Sequence, residues 1–408
     1  MPTNLETKFT ISDVNALFKT DFKEYQDVVT NRDSFIWSQI DKPAMTGKAT
    51  EFPQAFGFAG GASAGRPGDS NPGSYSTVTF SHKKLYTTTL FDRDAVAASM
   101  DSKGAFCKAI EEPFEKGVEV QAWNENRAFW ALSATAGLGS IKSAAGVTDN
   151  GGGNYSVIIS DATWILAMWE ENQMVNVGTG TTDKFEIQSV DPDNKTIVIQ
   201  RQAGGTVVPA NSDTIFLQNS EGNDPISIPT VVKATVGTLY GITVGRRWKA
   251  YQQDSSGAAI DYDVINDDLL AIEAKVGRKN ATTKIVTSYK QFGKLLNQSE
   301  GNKRYPVETV TVKSADKRMV DIGFSGIRVL TGRGSIEIVP ERFVKDDELY
   351  YLNMNHIKAY TMPKSGWVAD DGRNYLRVAG EDSFSAYYAR YGQNYIVPTS
   401  QGIRYNLA

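Results

Sequence analysis

A chain of 408 residues, 40% hydrophobic and 22% charged, is long enough for about two or three folded units with a sizeable core. The net charge of -4 marks out neither a nucleic-acid nor an acidic-substrate partner, and no apolar run approaches the roughly 20 residues that span a bilayer. A single cysteine, Cys107, excludes an intrachain disulfide, and two histidines, His82 and His356, leave too few groups for a structural zinc site or a Ser-His-Asp constellation.

The opening MPTNLETKFT has no basic-then-apolar pattern and does not read as a signal peptide. Ile11–Thr30 reads as a short amphipathic helix capped by Ser12 or Asp13, with Val14, Leu17, Phe18, Phe22 and Tyr25 on one face. That face packs either on the same domain or on a neighbour. Residues 46–92 read as two extended runs, Thr46–Phe56 and Ser76–Leu90, around the glycine-rich tip AFGFAGGASAGRPGDSNPGSY. A two-stranded ribbon is marginal alone, and ordering each residue costs about 1–2 kcal/mol. The arm is therefore expected to be mobile or ordered by something outside it.

Residues 93–136 form the longest helical pattern, with Cys107, Ile110, Phe114, Val118, Ala122 and Phe129 along one face. Pro113 starts a second segment or kinks the first, and Gly104 and Gly117 soften it. Gly137–Gly153 reads as a flexible linker, YSVIIS as a strand, and DATWILAMWEEN as a helix capped by Asp161. Residues 174–218 read as a small β-insert, in which DPDNKT is a turn: a calcium loop would need glycine at Thr196 and glutamate at Gln202. From Pro229 onwards the pattern is mixed: DDLLAIEAKVG is a helix ending at Gly277, TKIVTS a buried strand and YKQFGKLLNQ a helix. Strands close the chain. The 36 glycines, 18 tyrosines and 18 phenylalanines suit many short strands with turns.

No phosphate-binding GxxxxGK[ST] or HExxH occurs, and no GxSxG stands at a strand-to-helix elbow. The acid pairs Glu111–Glu112, Glu170–Glu171 and Asp267–Asp268 fit helix starts or solvated faces, and Asp370–Asp371 a turn. His356 reads as a sheet residue, and Arg246–Arg247 beside Trp248 as surface ion-pairing groups. Catalysis and cofactors are not expected.

Three stretches, taken together with their order, resemble the major capsid proteins of tailed bacteriophages. TLYGITVGRRWKAY (238–251) resembles the segment after their β-rich stretch. Residues 320–362 resemble their strand series, with an F-x-G before a D-x-LYYLN edge, and residues 366–397 resemble their closing segment with D-x-FSAYYARY. The resemblance implies an α+β Hong Kong 97-type capsid fold. Its parts would be an N-terminal arm (1–45), an extended β-hairpin loop (46–92), a spine helix with the first part of a peripheral domain (93–173), a β-rich insert (174–225), an axial domain (226–358) and returning peripheral strands (359–408).

The implied function is a shell subunit that assembles with itself as hexamers and pentamers around double-stranded DNA, in a virion assembled in the host cytoplasm. Portal, scaffolding and decoration proteins would be its other partners, with weak, non-specific DNA contact and no membrane. Gly60, Arg66, Asp69, Lys83, Lys84, Phe18 and Phe22 are the implied intersubunit contacts. Some relatives begin with a charged scaffolding segment. Here the first helix starts near residue 11, so a separate scaffolding protein, or none, is implied. Some relatives crosslink Lys to Asn; Lys48, Lys83 and Lys84 lie on the arm, and the sequence does not locate an Asn or Glu partner. An encapsulin-like compartment shell is the close alternative. A β-rich carbohydrate-binding or hydrolytic protein is the alternative of another class.

Overall fold

The computed structural model describes residues 35–56, 74–92, 103–132, 137–202, 204–245, 247–301, 327–331, 334–363, 365–368, 375–377 and 383–408. The expected helix at Ile11–Thr30, the tip at 57–73 and the Asp370–Asp371 turn lie outside them. The described chain mixes helices and sheets. A helical turn, α1 (Phe35–Ser38), buries Ile36 and Trp37. Strands β1 (Ala49–Phe56) and β2 (Ser74–Ser81) pair antiparallel along their full lengths. The ribbon has a core at its base. Val78 and Phe80 are buried, Phe80 stacks on Tyr395 at 5.7 Å, and Phe52 and Phe56 meet Tyr395 and Trp248 edge-on. What orders the base is therefore the same chain.

The run Ser76–Leu90 is not one strand. It breaks at His82, and β3 (Lys83–Asp92) leaves β1 to pair with a strand near the C-terminus. The break lets Val78 and Phe80 face one core while Leu85 and Thr87 turn into another. Helix α2 (Lys103–Trp130) runs 28 residues, about 42 Å at 1.5 Å per residue. Val118, Ala122 and Phe129 are buried as their spacing predicts, while Cys107, Ile110 and Phe114 lie in the helix with their side chains outside the described set. Gly117 is there for closeness. A Cβ on it would stand 2.9 Å from Thr89 Oγ1 and 3.1 Å from the Trp367 ring.

Next come β4 (Gly139–Ser140), β5 (Val147–Gly151), β6 (Asn154–Ile158), β7 (Met174–Val177), β8 (Phe185–Asp191), β9 (Thr196–Arg201) and β10 (Thr214–Leu217). They form one seven-stranded antiparallel sheet in the order β4-β10-β7-β8-β9-β6-β5. Gly137–Gly153 is thus no linker, since it supplies β4 and β5. A Cβ on Gly146 would lie 2.4 Å from the Lys142 carbonyl, and one on Gly139 would lie 3.0 Å from the Trp169 ring, so tight packing selects these glycines. The expected helix over residues 161–172 is also absent; only a 3-10 turn, Leu166–Met168, forms. The segment must bury Ile165, Met168 and Trp169 in the sheet's core and stack Trp164 on Trp169, and its Ala167 carbonyl accepts from Trp123 Nε1 at 3.1 Å. A helix would keep Ile165, Met168 and Trp169 on one face, but it would turn Trp164 away from Trp169 and commit the Ala167 carbonyl to the helix ladder. The DPDN segment is a turn, closed by the Asp191 carboxylate accepting from the backbone of Asp193 and Asn194.

The remaining elements are α3 (Ile228–Val232), β11 (Thr238–Leu239), β12 (Ile242–Thr243), β13 (Tyr251–Asp254), α4 (Tyr262–Val276), β14 (Lys284–Thr287), α5 (Tyr289–Gly301), β15 (Ile327–Thr331), β16 (Gly334–Pro340) and β17 (Leu349–Leu352). They are followed by β18 (Ile357–Thr361), β19 (Gly366–Trp367), β20 (Tyr375–Arg377), β21 (Ser383–Ile396) and β22 (Gly402–Tyr405). Helix α4 starts at Asp261, whose carboxylate accepts from the Tyr262 N–H, and ends at Gly277 with φ +78°. A six-stranded mixed sheet, β13-β22-β17-β14-β16-β15, packs under α4 and α5 through Ile265, Leu269, Ile272, Ile285 and Leu295. The 14-residue β21 organises the third sheet. It carries β18, β19 and β20 along one edge and β3 along the other.

Candidate functional site

The C-terminal half of α2 is buried on nearly every side, polar residues included. Arg127 is 1% exposed and grips Asp224 through both guanidinium nitrogens, at 2.9 and 2.8 Å. Its Nε donates to Asn124 at 3.0 Å. One turn earlier Gln121 accepts from the Thr87 hydroxyl at 2.7 Å and donates to Glu125 at 3.1 Å. Arg390, on β21, lies 4.0 Å from Glu125 and 4.5 Å over the Trp37 ring. These groups bolt α2 to β3, to β21 and to the turn before α3. Each charge has a partner, as burial in a low-dielectric interior requires.

Alongside this network runs a cleft of about 1010 Å³. Its walls are β3 from Lys84 to Thr88, the outer turn of α2 at Glu119, Val120 and Trp123, and the loops around 170–174 and 217–224. Near it, Lys83 Nζ donates to the Gly222 carbonyl at 2.7 Å, tying the start of β3 to the 217–224 loop. Beside it, the amide atoms of half-buried Gln173 and the hydroxyl of buried Ser220 find no hydrogen-bond partner among the described residues. Glu119, Glu170 and Glu171 make one part of the rim acidic, while Lys84 and Arg342 supply positive charge.

Of the residues singled out from sequence, Lys84 lines this cleft and Lys83 stands next to it on β3. Lys84 is exposed and its ammonium lies 5.8 Å over the Tyr391 ring. A hydrogen bond that the Tyr391 phenol gives to Tyr86, with some burial, holds the Tyr391 phenol above its usual range. Phe18, Phe22, Gly60, Arg66 and Asp69 lie outside the described residues, as does Arg246; Arg247 is exposed.

Sequence patterns missed the buried charges. Asp268 belongs to a pair assigned to a helix start or a solvated face, yet it is 1% exposed. It accepts from Tyr251 and Tyr351 and from Arg404 at 2.6 and 2.7 Å. The carboxylate holds the Arg404 guanidinium pKa up, and burial pushes both phenols up. Its position beside Leu269 on the apolar side of α4 is the one signal available in the sequence. Among the described residues no cluster of three or more His, Cys, Asp or Glu is placed to hold a metal ion, and no helix is long and apolar enough to cross a membrane.

No protein-family model and no characterised sequence matches the chain. Solved structures do resemble it. The capsid asymmetric unit of cyanophage A-1(L) is 12% identical, with 90% of each chain covered and a TM-score of 0.49. The procapsid of satellite phage P4 is 10% identical, covering 97% of this chain and 96% of that one, at 0.40. An encapsulin complex from Synechococcus elongatus is 6% identical, covering 92% and 89%, at 0.41.

Proposed function

We propose that this chain is the major capsid protein of a tailed bacteriophage, a shell subunit that assembles with copies of itself around double-stranded DNA. One observation carries the reading. The β1–β2 ribbon continues directly into β3, the edge of the sheet that packs on the 28-residue α2, so a long-tipped arm is built into the sheet beside the longest helix. Ribbon, long helix, seven-stranded sheet and mixed sheet follow one another in the order that the sequence resemblance implies for extended loop, spine, β-rich insert and axial domain. In these terms α2 is the spine. The sheet around β21 is its peripheral partner, the seven-stranded sheet is the insert, and the mixed sheet with α4 and α5 is the axial part. Hexamers and pentamers of the chain are its assembly units, and portal, scaffolding and decoration proteins its further partners.

A rigid subunit with an arm suits this role, because contacts repeated across a closed shell sum many modest interfaces. The role needs no catalytic group. Purified full-length protein should form closed particles tens of nanometres across in electron micrographs. A monodisperse monomer under all assembly conditions would refute the reading.

A further inference from the structure

The hairpin of β5 and β6 carries the only Asn-Gly step of the chain, Asn150–Gly151. Gly152 and Gly153, both at positive φ, form its two-residue turn. The ladder shifts register between Asp149 and Gly151, so Asn150 is the extra residue of a β-bulge and has no partner of its own on β6. Two polar contacts frame this bulge. The Gly151 N–H donates to Asp149 Oδ1 at 2.8 Å. Asn150 Nδ2 donates to Ser156 Oγ at 2.8 Å. Asp149, Asn150 and Gly151 are exposed, so water reaches all three. Gly151 has φ +83°, and a Cβ on it would meet nothing within 4 Å, so close packing is not what keeps it a glycine.

We propose that Asn150–Gly151 is a self-modifying site, at which the chain converts its own asparagine to aspartate and isoaspartate through a succinimide. The nucleophile is the Gly151 nitrogen, which has no Cβ beside it to hinder approach. The Asp149 carboxylate stands within hydrogen-bond reach of the proton that this nitrogen must lose, where a general base has to be. The nitrogen bonds to Asn150 Cγ, its neighbour along the chain, and closes a five-membered ring. The tether supplies the proximity that two separate reactants would lack. The Cγ–Nδ2 bond then breaks. The leaving nitrogen takes a proton from the Ser156 hydroxyl and departs as ammonia, and the proton held by Asp149 returns to Ser156 through water. Water opens the ring at one of its two carbonyls. Cleavage of the bond to Cγ gives aspartate, and cleavage of the bond to the Asn150 main-chain carbonyl carbon gives isoaspartate. No oxidant or reductant enters, and water is the one co-reactant. Each conversion adds a negative charge beside Asp149. Isoaspartate also adds a methylene to the main chain, at a residue that the ladder does not pair.

The test incubates the full-length protein at neutral pH and follows each asparagine by peptide mapping and mass spectrometry. Conversion should concentrate at Asn150 and give separable aspartate and isoaspartate peptides. Asp149→Ser keeps an acceptor for the Gly151 N–H and removes the base, so it should slow conversion about tenfold or more. Asn150→Gln, which would need a six-membered ring, should show no conversion at that position. Circular dichroism serves as the folding control, and Ser156→Ala repeats the test from the leaving-group side should Asp149→Ser disturb the hairpin. Conversion at Asn150 no faster than at the other asparagines, or a rate that these substitutions of Asp149 and Ser156 leave unchanged, overturns the proposal. The assay reads single chains and is independent of whether they assemble.

Discussion

Arg127 and Asp224 show what a buried charge costs when its partner is taken away. Both are nearly inaccessible and joined by two short hydrogen bonds. Asp224→Ala leaves a guanidinium stranded beside α2 and is expected to cost about 3–5 kcal/mol in denaturant unfolding. Replacing both, as Arg127→Met with Asp224→Leu, should cost clearly less, because no charge is left behind. His356 carries the pH dependence. Burial, and then the nearby Lys358 charge, hold its imidazole below the ordinary 6.5. The unfolded chain therefore takes up a proton before the folded one does. The stability contributed by the neutral ring is full above about pH 6.5 and is lost as pH falls below it. His356→Asn should flatten the fall in Tm between about pH 7 and pH 5 relative to the parent.

At the scale of elements, α2 joins β3, the rest of the β21 sheet and the turn before α3. Phe129 sits at its inner end, fully buried and edge-on to both Trp37 at 5.4 Å and Trp130 at 5.8 Å. Phe129→Ala opens a cavity that these rigid rings cannot fill and is expected to cost about 3–5 kcal/mol, read from chemical unfolding. A loss under about 1 kcal/mol would mean that the site collapses freely. The ribbon behaves differently, because its base is anchored by side chains while its tip is a separate glycine-rich stretch.

For the whole molecule, that separation allows the arm to be tested without harming the fold. Phe56 and Ser74 are already paired, so an Asn-Gly turn can replace 57–73 with the hairpin register kept. The shortened chain should unfold at the parent's Tm yet fail to close shells in electron micrographs; normal particles would remove the arm from assembly. DNA contact is expected to be weak. The net charge is -4 and basic pairs are the longest Lys/Arg runs. A binder contacting 6–10 phosphates would lose roughly 10³–10⁵ in affinity between 50 and 200 mM salt. The unassembled subunit should not retard duplex DNA at physiological salt in a mobility-shift assay, and salt-sensitive binding tighter than about micromolar would contradict this.

The sequence alone determined what local periodicity and turn chemistry encode. It yielded the long helix within 93–136, the helix that ends at Gly277, the DPDN turn, the strands of 174–218 and the inward face of Val118, Ala122 and Phe129; the start of the Gly277 helix at Asp261, rather than at Asp267, came from the structure. Each of these depends on residues a few positions apart. Tertiary structure decided the rest, because long-range contacts override local preference. Gly137–Gly153 looks flexible until Ile159 and the Trp169 ring close over Gly139 and leave no room for a Cβ. Residues 161–172 carry helical spacing, yet the sheet's core claims Ile165, Met168 and Trp169, and the Trp164 ring stacks on Trp169. The strand after the tip changes partner at His82 because its new neighbour, β21, lies some 300 residues further along the chain. The cleft shares that origin: Lys84 and Glu119 are legible as charges, but only the pairing of β3 with β21 turns one edge of Lys84–Thr88 outward beside α2.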